Sequence, residues 1–202
     1  MNTLLKAPRA PKRHDPELLQ LPPVQCLMLD GTGDPNTAPA FKTAVSALYS
    51  LSYAIKFALK KLGTEHKVQP LEGLWWMGNE QAPEFDAVQA SREHWHWTLM
   101  IQQPDHLTPA LFEQIRSEVI RKKGLDRLSE VRLETFTEGQ VAQVLHVGPF
   151  SAEGETIERL HNSIAAQALS ISGKHHEIYL SDFTRAAPEK LKTLIRYPVT
   201  SR

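Results

Sequence analysis

The sequence predicts an α+β fold built from two similar halves: an antiparallel sheet with helices on one face and a ligand cleft on the other. Three observations lead there. Short apolar runs with a strand period alternate with longer amphipathic segments of helical period. The order strand, helix, strand, strand occurs twice. The second half also echoes the first locally, most clearly in "TLMIQQP" (98–104) against "TLIRYP" (193–198). A duplicated unit of this kind implies a pseudo-two-fold axis and often builds a site at it.

The elements follow in order. Residues 1–20 mix Pro, Lys and Arg and read as a loosely ordered arm; residues 21–202 form the domain, with halves at about 21–107 and 108–202. Val24–Leu29 is a buried strand stopped by Gly31, Gly33 and Pro35. A long helix follows, with Thr37 as N-cap and Pro39 in the first turn. Its apolar stripe is Phe41, Val45, Leu48, Ser52, Ile55, Leu59 and Leu62, with Tyr49, Tyr53 and Phe57 beside it. "KVQPLEGLWWM" and "HWHWTLMIQQP" are strands joined by a long polar loop at 78–93. Thr108 caps and Pro109 opens a second helix. "VRLETFTEG" and "QVAQVLHVGPF" read as a hairpin turning near Glu138-Gly139. A third helix spans "SAEGETIERLHNSIAAQAL", and "HHEIYLSD" and "LKTLIRYPV" close the chain as strands.

Composition excludes several classes. Lys plus Arg and Asp plus Glu both total 23, so no net charge draws the chain to nucleic acid or membrane. No apolar run reaches the roughly 18 residues of a membrane span. A single cysteine, Cys26, fits a reducing compartment, and a cytoplasmic protein is expected. "GTGDPN" lacks the Walker lysine and the dinucleotide glycine spacing, and the nine histidines include no zinc motif. No metal and no cofactor are expected, and the sequence sets no oligomeric state.

The strands carry the candidate chemistry. Side chains at i and i+2 share a face, so Glu177 and Tyr179 stand together. Glu72, Leu74 and Trp76 share a face, as do Trp95, Trp97, Leu99 and Ile101. Superposing the two halves sets Glu72 against Glu177. Carboxylates, a phenol and indoles on strand faces suit a small flat aromatic ligand. A carboxyl desolvated by such walls should have a raised pKa, as a proton acceptor or a counter-ion for a cation. The competing reading of the same aromatic residues is ordinary core packing.

The blocks "LMLDGTGDPNT", "PLEGLWW", "WTLMIQQPD", "HVGPFSAEGETIERLH" and "GKHHEIYLSDFTRAAPEKLKTLIRYPV" resemble the stand-alone GyrI-like small-molecule-binding proteins over about residues 18–199. The resemblance implies a tandem strand-helix-strand-strand (SHS2) fold. It also implies hydrolysis of cyclopropane-bearing DNA-alkylating compounds as a detoxifying activity, as in the cyclopropanoid cyclopropyl hydrolases. Wider relatives imply an alternative: multidrug binding, in which flat hydrophobic cations are held without chemistry, or a protein contact as in gyrase inhibition. Carried over onto this chain, Glu177 is the acidic site residue and Tyr179 its companion phenol. The "EGLWW" block makes Glu72, Trp75 and Trp76 pocket candidates, and Trp97, Tyr49 and Tyr53 complete the expected aromatic wall. Phe183 stands where relatives commonly have Pro, a change expected to alter a turn rather than the pocket. The short arm leaves no room for a DNA-binding domain, so no direct nucleic-acid contact is expected.

Overall fold

The structure, a computed structural model, describes residues 15–78, 92–125 and 127–202. Most of the long loop expected at 78–93, and the first fourteen residues of the expected arm, lie outside the described residues. The strands are β1 (Glu17–Gln20), β2 (Val24–Thr32), β3 (Leu71–Trp76), β4 (His96–Gln103), β5 (Arg132–Phe136), β6 (Gln140–Val147), β7 (Leu169–Ile171), β8 (His175–Tyr179) and β9 (Lys192–Ser201). The helices are α1 (Pro39–Lys61), α2 (Pro109–Lys123) and α3 (Glu153–Ala166). No helix among the described residues is long and apolar enough to cross a membrane.

The ends of the helices follow local chemistry. Thr108 accepts a hydrogen bond from the Leu111 backbone N–H, Pro109 opens α2, and Gly124 closes it in the left-handed conformation at φ 55°. In α1 the N-cap is Ala38 rather than Thr37, whose N–H is taken by the Asp34 carbonyl in the preceding turn. Phe41, Leu48, Ser52, Ile55 and Leu59 are buried as their spacing predicts, but Leu62 projects into solvent.

The strands form one antiparallel sheet in the order β1-β6-β9-β8-β3-β4-β2-β5, with β7 added beside the end of β9. The order β2-β4-β3 in the first half is repeated outward from the centre as β6-β9-β8 in the second, so β3 and β8 meet in the middle. Residues 17–20, expected in the loose arm, are strand β1, with Leu18 opposite Ala142.

Two expectations about the sheet are overturned. First, β5 and β6 do not pair with each other: β5 pairs with β2 and β6 with β9. Six inter-strand steps would hold them about 29 Å apart in a flat sheet. The link between them, residues 137–139, spans about 14 Å at most. The sheet therefore curls until its outer ends approach. Phe136 on β5 meets the ring of His176 on central β8, with centroids 5.9 Å apart. The inner face of the curl buries Cys26, Met28, Leu74, Trp76 and Met100 together.

Second, the cleft is not on the face away from the helices. The outer face carries α1 over Leu27, Leu71, Leu99 and Ile101, and α3 over Val144, Ile195 and Tyr197. Glu177 lies opposite Ile195 in register and so shares that helix-bearing face. The gap between the two helices stays open above β3 and β8.

Candidate functional site

Alternation along β8 places His175, Glu177 and Tyr179 in the gap between α1 and α3. Gly73 on β3 lies opposite Glu177, and Trp75 opposite His175. A Cβ at position 73 would come within 2.8 Å of Trp75 Nε1 and 3.2 Å of the Tyr179 hydroxyl, so the glycine makes room for both rings. A cavity of about 360 Å³ opens above this floor. Phe41 and Trp95 wall it from the first half, Phe150 and Phe183 from the second, and Arg92, Asn36 and Ser151 add polar groups. Trp75 stacks near Phe41 at 5.9 Å and meets Trp95 edge-on at 5.7 Å.

Glu177 is held by donors. Its Oε2 accepts from the Tyr179 hydroxyl at 2.7 Å, and its Oε1 pairs with His175 Nε2 at 2.9 Å. The other His175 nitrogen, Nδ1, is 2.7 Å from the Tyr197 hydroxyl. Burial alone would raise the Glu177 pKa. His175, through hydrogen bond and charge, together with Tyr179 and Glu153, outweighs burial and holds it below the usual carboxylate range. The expectation of a raised pKa at Glu177 is therefore overturned, because its apolar walls come with donors. Burial and the adjacent carboxylate push the Tyr179 phenol well up, so it stays a donor.

The raised carboxyl is Glu153, in the first turn of α3. It is buried, lines the cavity, and its Oε1 has no hydrogen-bond partner. Burial first, then the charge and hydrogen bond of Glu177, push its pKa up to about 10. The pair shares one proton, with the negative charge on Glu177 and the proton on Glu153. Sequence reasoning missed Glu153: a helix first turn is an ordinary place for a solvated carboxylate, and no spacing ties position 153 to 177. Phe41, Phe150 and Gly73 were missed in the same way, since each comes from a different element.

The family model of the GyrI-like small molecule binding domain matches residues 14–200. The chain belongs to the GyrI-like family. An uncharacterized conserved protein from Listeria innocua is 38% identical, with 93% of each chain covered and a TM-score of 0.84. Two structures named as a hydrolase from the same organism are 36% and 37% identical, each covering 93% of both chains at a TM-score of 0.80. No curated protein matches.

In this GyrI-like chain, Glu177, Tyr179, Trp75 and Trp95 line one cavity. The other candidates are elsewhere. Trp97 is fully buried beneath the wall, its ring lying on Gly31 and edge-on to Phe41 at 5.4 Å. Glu72 and Trp76 point to the inner face, because Glu72 is paired with Ile178 and not with Glu177. The Glu72 carboxylate meets His176 Nε2 at 3.0 Å; His176 Nδ1 meets Glu138 at 2.8 Å; and Arg196 donates to Glu138 at 3.0 Å and to Gln143 at 2.8 Å. Trp76 stacks on His96, with the Lys174 ammonium 3.5 Å from its ring centre. Tyr49 and Tyr53 line a second cavity, about 630 Å³, which shares Tyr179 and Phe183 with the first. Phe183 is thus a pocket residue and not only part of a turn: it meets Tyr179 edge-on at 5.6 Å and Phe150 at 6.3 Å.

Proposed function

We propose that this protein hydrolyses cyclopropane-bearing electrophiles that alkylate DNA, and so detoxifies them. The observation that carries the proposal is a buried carboxylate, Glu177, kept ionised at the floor of an aromatic cavity beside a carboxyl that keeps its proton. The hydrolase name of relatives near 36% identity supports a hydrolytic reaction; the cyclopropane substrate rests on the resemblance of the sequence blocks.

The chemistry runs as follows. Phe41, Trp75, Trp95 and Phe150 hold a planar conjugated ring system and exclude bulk water. A water bound to Glu177 attacks the ring methylene. A C–O bond forms and the strained C–C bond breaks. Its electron pair moves into the conjugated carbonyl, which becomes a phenolate. Glu177 takes the proton that the water loses and then releases it to solvent, and the phenolate takes one from solvent at the mouth of the cavity, where Arg92 and Asn36 stand. The sum is addition of one water. Glu153, donating to Glu177, keeps that carboxylate anionic and oriented before the proton arrives. Ring strain keeps the demand on the base modest, so the depressed basicity of Glu177 suffices.

The test is incubation of the purified protein with a duocarmycin-type cyclopropanoid, following the mass of the small molecule. Catalytic gain of one water that disappears in Glu177→Gln is the expected result. A compound that stays intact, or that only alkylates the protein, ends the hydrolase reading. The second reading is sequestration of flat hydrophobic cations, favoured by the same anionic carboxylate between aromatic walls. It predicts saturable binding without product and loss of cation affinity in Glu177→Gln.

A further inference from the structure

The cavity above β8 has two electrical poles. Glu177 and Glu153 are its buried acidic end. Arg92 is exposed, and it is the only cation among the described residues that line the cavity. It begins the short helical turn Arg92–His94 that leads into β4. The Arg92 carbonyl accepts from the Trp95 N–H at 3.2 Å, and the Trp95 carbonyl accepts from the Gly33 N–H at 2.8 Å. The turn is thereby tied to the segment that carries Pro35 and Asn36, which line the same cavity. The Arg92 guanidinium lies over the ring of Trp95, 5.2 Å from its centre, and Trp95 is a buried wall of the cavity. A guanidinium resting on an aromatic face keeps its N–H groups at its edge, available to an acceptor. Arg127, Arg132 and Arg196 each hold a carboxylate within 3.0 Å; among the described residues no carboxylate is paired with Arg92. Asn36 Nδ2 already donates to the Asp34 carboxylate at 2.8 Å, so Arg92 is the stronger donor at the mouth.

We propose that Arg92 binds the acceptor oxygen of the ligand, the carbonyl conjugated with the cyclopropane, and stabilises the phenolate that this oxygen becomes. The two poles then match the two ends of the reacting system. As the C–O bond forms at the methylene beside Glu177 and the strained C–C bond breaks, the electron pair passes through the ring to the oxygen at the far end. Negative charge develops away from Glu177, which would oppose it, and beside Arg92, which stabilises it. The phenolate takes its proton from solvent afterwards. The same polarity selects ligands. A flat system with an acceptor opposite its electrophilic carbon satisfies both poles, whereas a flat cation satisfies Glu177 and is repelled by Arg92. The part Arg92 plays in turnover rests on the ring-opening reading; its recognition of an aromatic oxyanion does not.

The experiment applies two probes to the whole protein. The first is the ring-opened phenol of a duocarmycin-type head, which is unreactive and whose phenolate absorbance reports ionisation while bound. Arg92→Gln, at an exposed position, should leave the fold intact and lower the acid dissociation constant of the bound phenol about tenfold relative to wild type. Arg92→Lys, which keeps the charge, should recover most of that loss. The second probe is the parent cyclopropanoid, for which kcat should fall about a hundredfold in Arg92→Gln. Equal ionisation of the bound phenol in wild type and Arg92→Gln overturns the proposal, as does a phenol that does not bind. An unchanged kcat in Arg92→Gln overturns the catalytic role. If the cyclopropanoid is turned over in either case, the ring-opening reading stands without Arg92. Conversely, the tenfold difference in phenol ionisation with no turnover of the cyclopropanoid keeps Arg92 as an oxyanion site and removes the ring-opening reading.

Discussion

His175 and His176 are neighbours on β8, yet they serve opposite faces of one sheet. His175 joins Glu177, Tyr179, Tyr197 and Glu153 on the outer face; His176 joins Glu72, Glu138, Arg196 and Gln143 on the inner face. Both clusters are buried, and both mix carboxylates with a histidine. The difference lies in charge balance and access. The inner cluster pairs two carboxylates with a histidine and an arginine, inside a curl closed by the β5–β6 link. Glu138 holds two cationic partners, and its pKa is lowered because they outweigh its burial. The outer cluster has two carboxyls against one histidine and opens on a cavity through Glu153 and Glu177. A charge-balanced network is the pattern of a structural core; an acidic cluster open to a cavity is the pattern of a candidate site.

The largest effect that would break this contrast is at Glu177. Glu177→Gln keeps the shape and removes the charge, so turnover of a cyclopropanoid should fall about a thousandfold, with melting temperature little changed. Loss of stability with turnover retained would reverse the roles assigned to the two faces. The mirror experiment is Arg196→Ala on the inner face. It leaves Glu138 with a histidine only and should cost about 3 kcal/mol in denaturant unfolding, while turnover per folded molecule stays at the wild-type level. A fall in kcat matching that of Glu177→Gln would join the two networks into one.

Next in size is Gly73→Ala. The new methyl would press on the Trp75 indole and the Tyr179 hydroxyl. An overpacked site of this kind costs about 1–3 kcal/mol. Here the cost should show in ligand affinity as well as in melting temperature, because both rings it moves line the cavity. A variant with normal affinity would mean that Trp75 and Tyr179 give way without consequence.

Much of this was legible in the chain. The i, i+2 rule put Glu177 and Tyr179 together, and helix periodicity with Thr108, Pro109 and Gly124 set α2. What failed was phase and closure. The match of "TLMIQQP" to "TLIRYP" equates Thr98 with Thr193, yet Thr98 pairs with Leu74 on the inner face and Thr193 with Tyr179 on the outer. A slip of one residue in a strand moves every side chain to the other face, and so Glu72 was set against Glu177 in error. The side on which the cleft opens depends on the curl. The curl depends on β5 and β6 pairing with strands far away in the chain, which local patterns do not encode. Glu153 became a site residue only because α3 starts above β8.

Glu153→Gln sharpens the contrast through pH. The folded pKa of Glu153, about 10, lies above its ordinary 4.5. The folded state therefore binds a proton that the unfolded state has released. The stability this represents is complete below about pH 4.5 and is lost as pH rises toward 10. Glutamine removes that dependence and still offers an N–H to Glu177. Relative to the parent, the variant should gain stability steadily between pH 5 and pH 9. His176, whose folded pKa is also raised, loses stability over the same direction of pH; it is present in both proteins and cancels in the difference. A constant difference between pH 5 and pH 9 would place the shared proton elsewhere.

The smallest effect separates two adjacent indoles. Trp75 stands in the cavity wall, near Phe41 and Trp95, whereas Trp76 lies on the inner face between His96 and the Lys174 ammonium. Replacing either with Phe keeps an aromatic ring and removes the indole N–H and part of the surface. Trp75→Phe should weaken binding of a flat ligand about fivefold, the value of a partly lost aromatic contact. Trp76→Phe should change that affinity less than about twofold and instead lower stability by about 1 kcal/mol, through a weaker cation–π contact and lost packing. Fluorescence titration with thermal melts on the two variants reads both quantities at once. Equal losses of affinity would mean that the inner face communicates with the cavity through β3. Unequal losses in the stated order would show that a single peptide step divides a binding residue from a packing one.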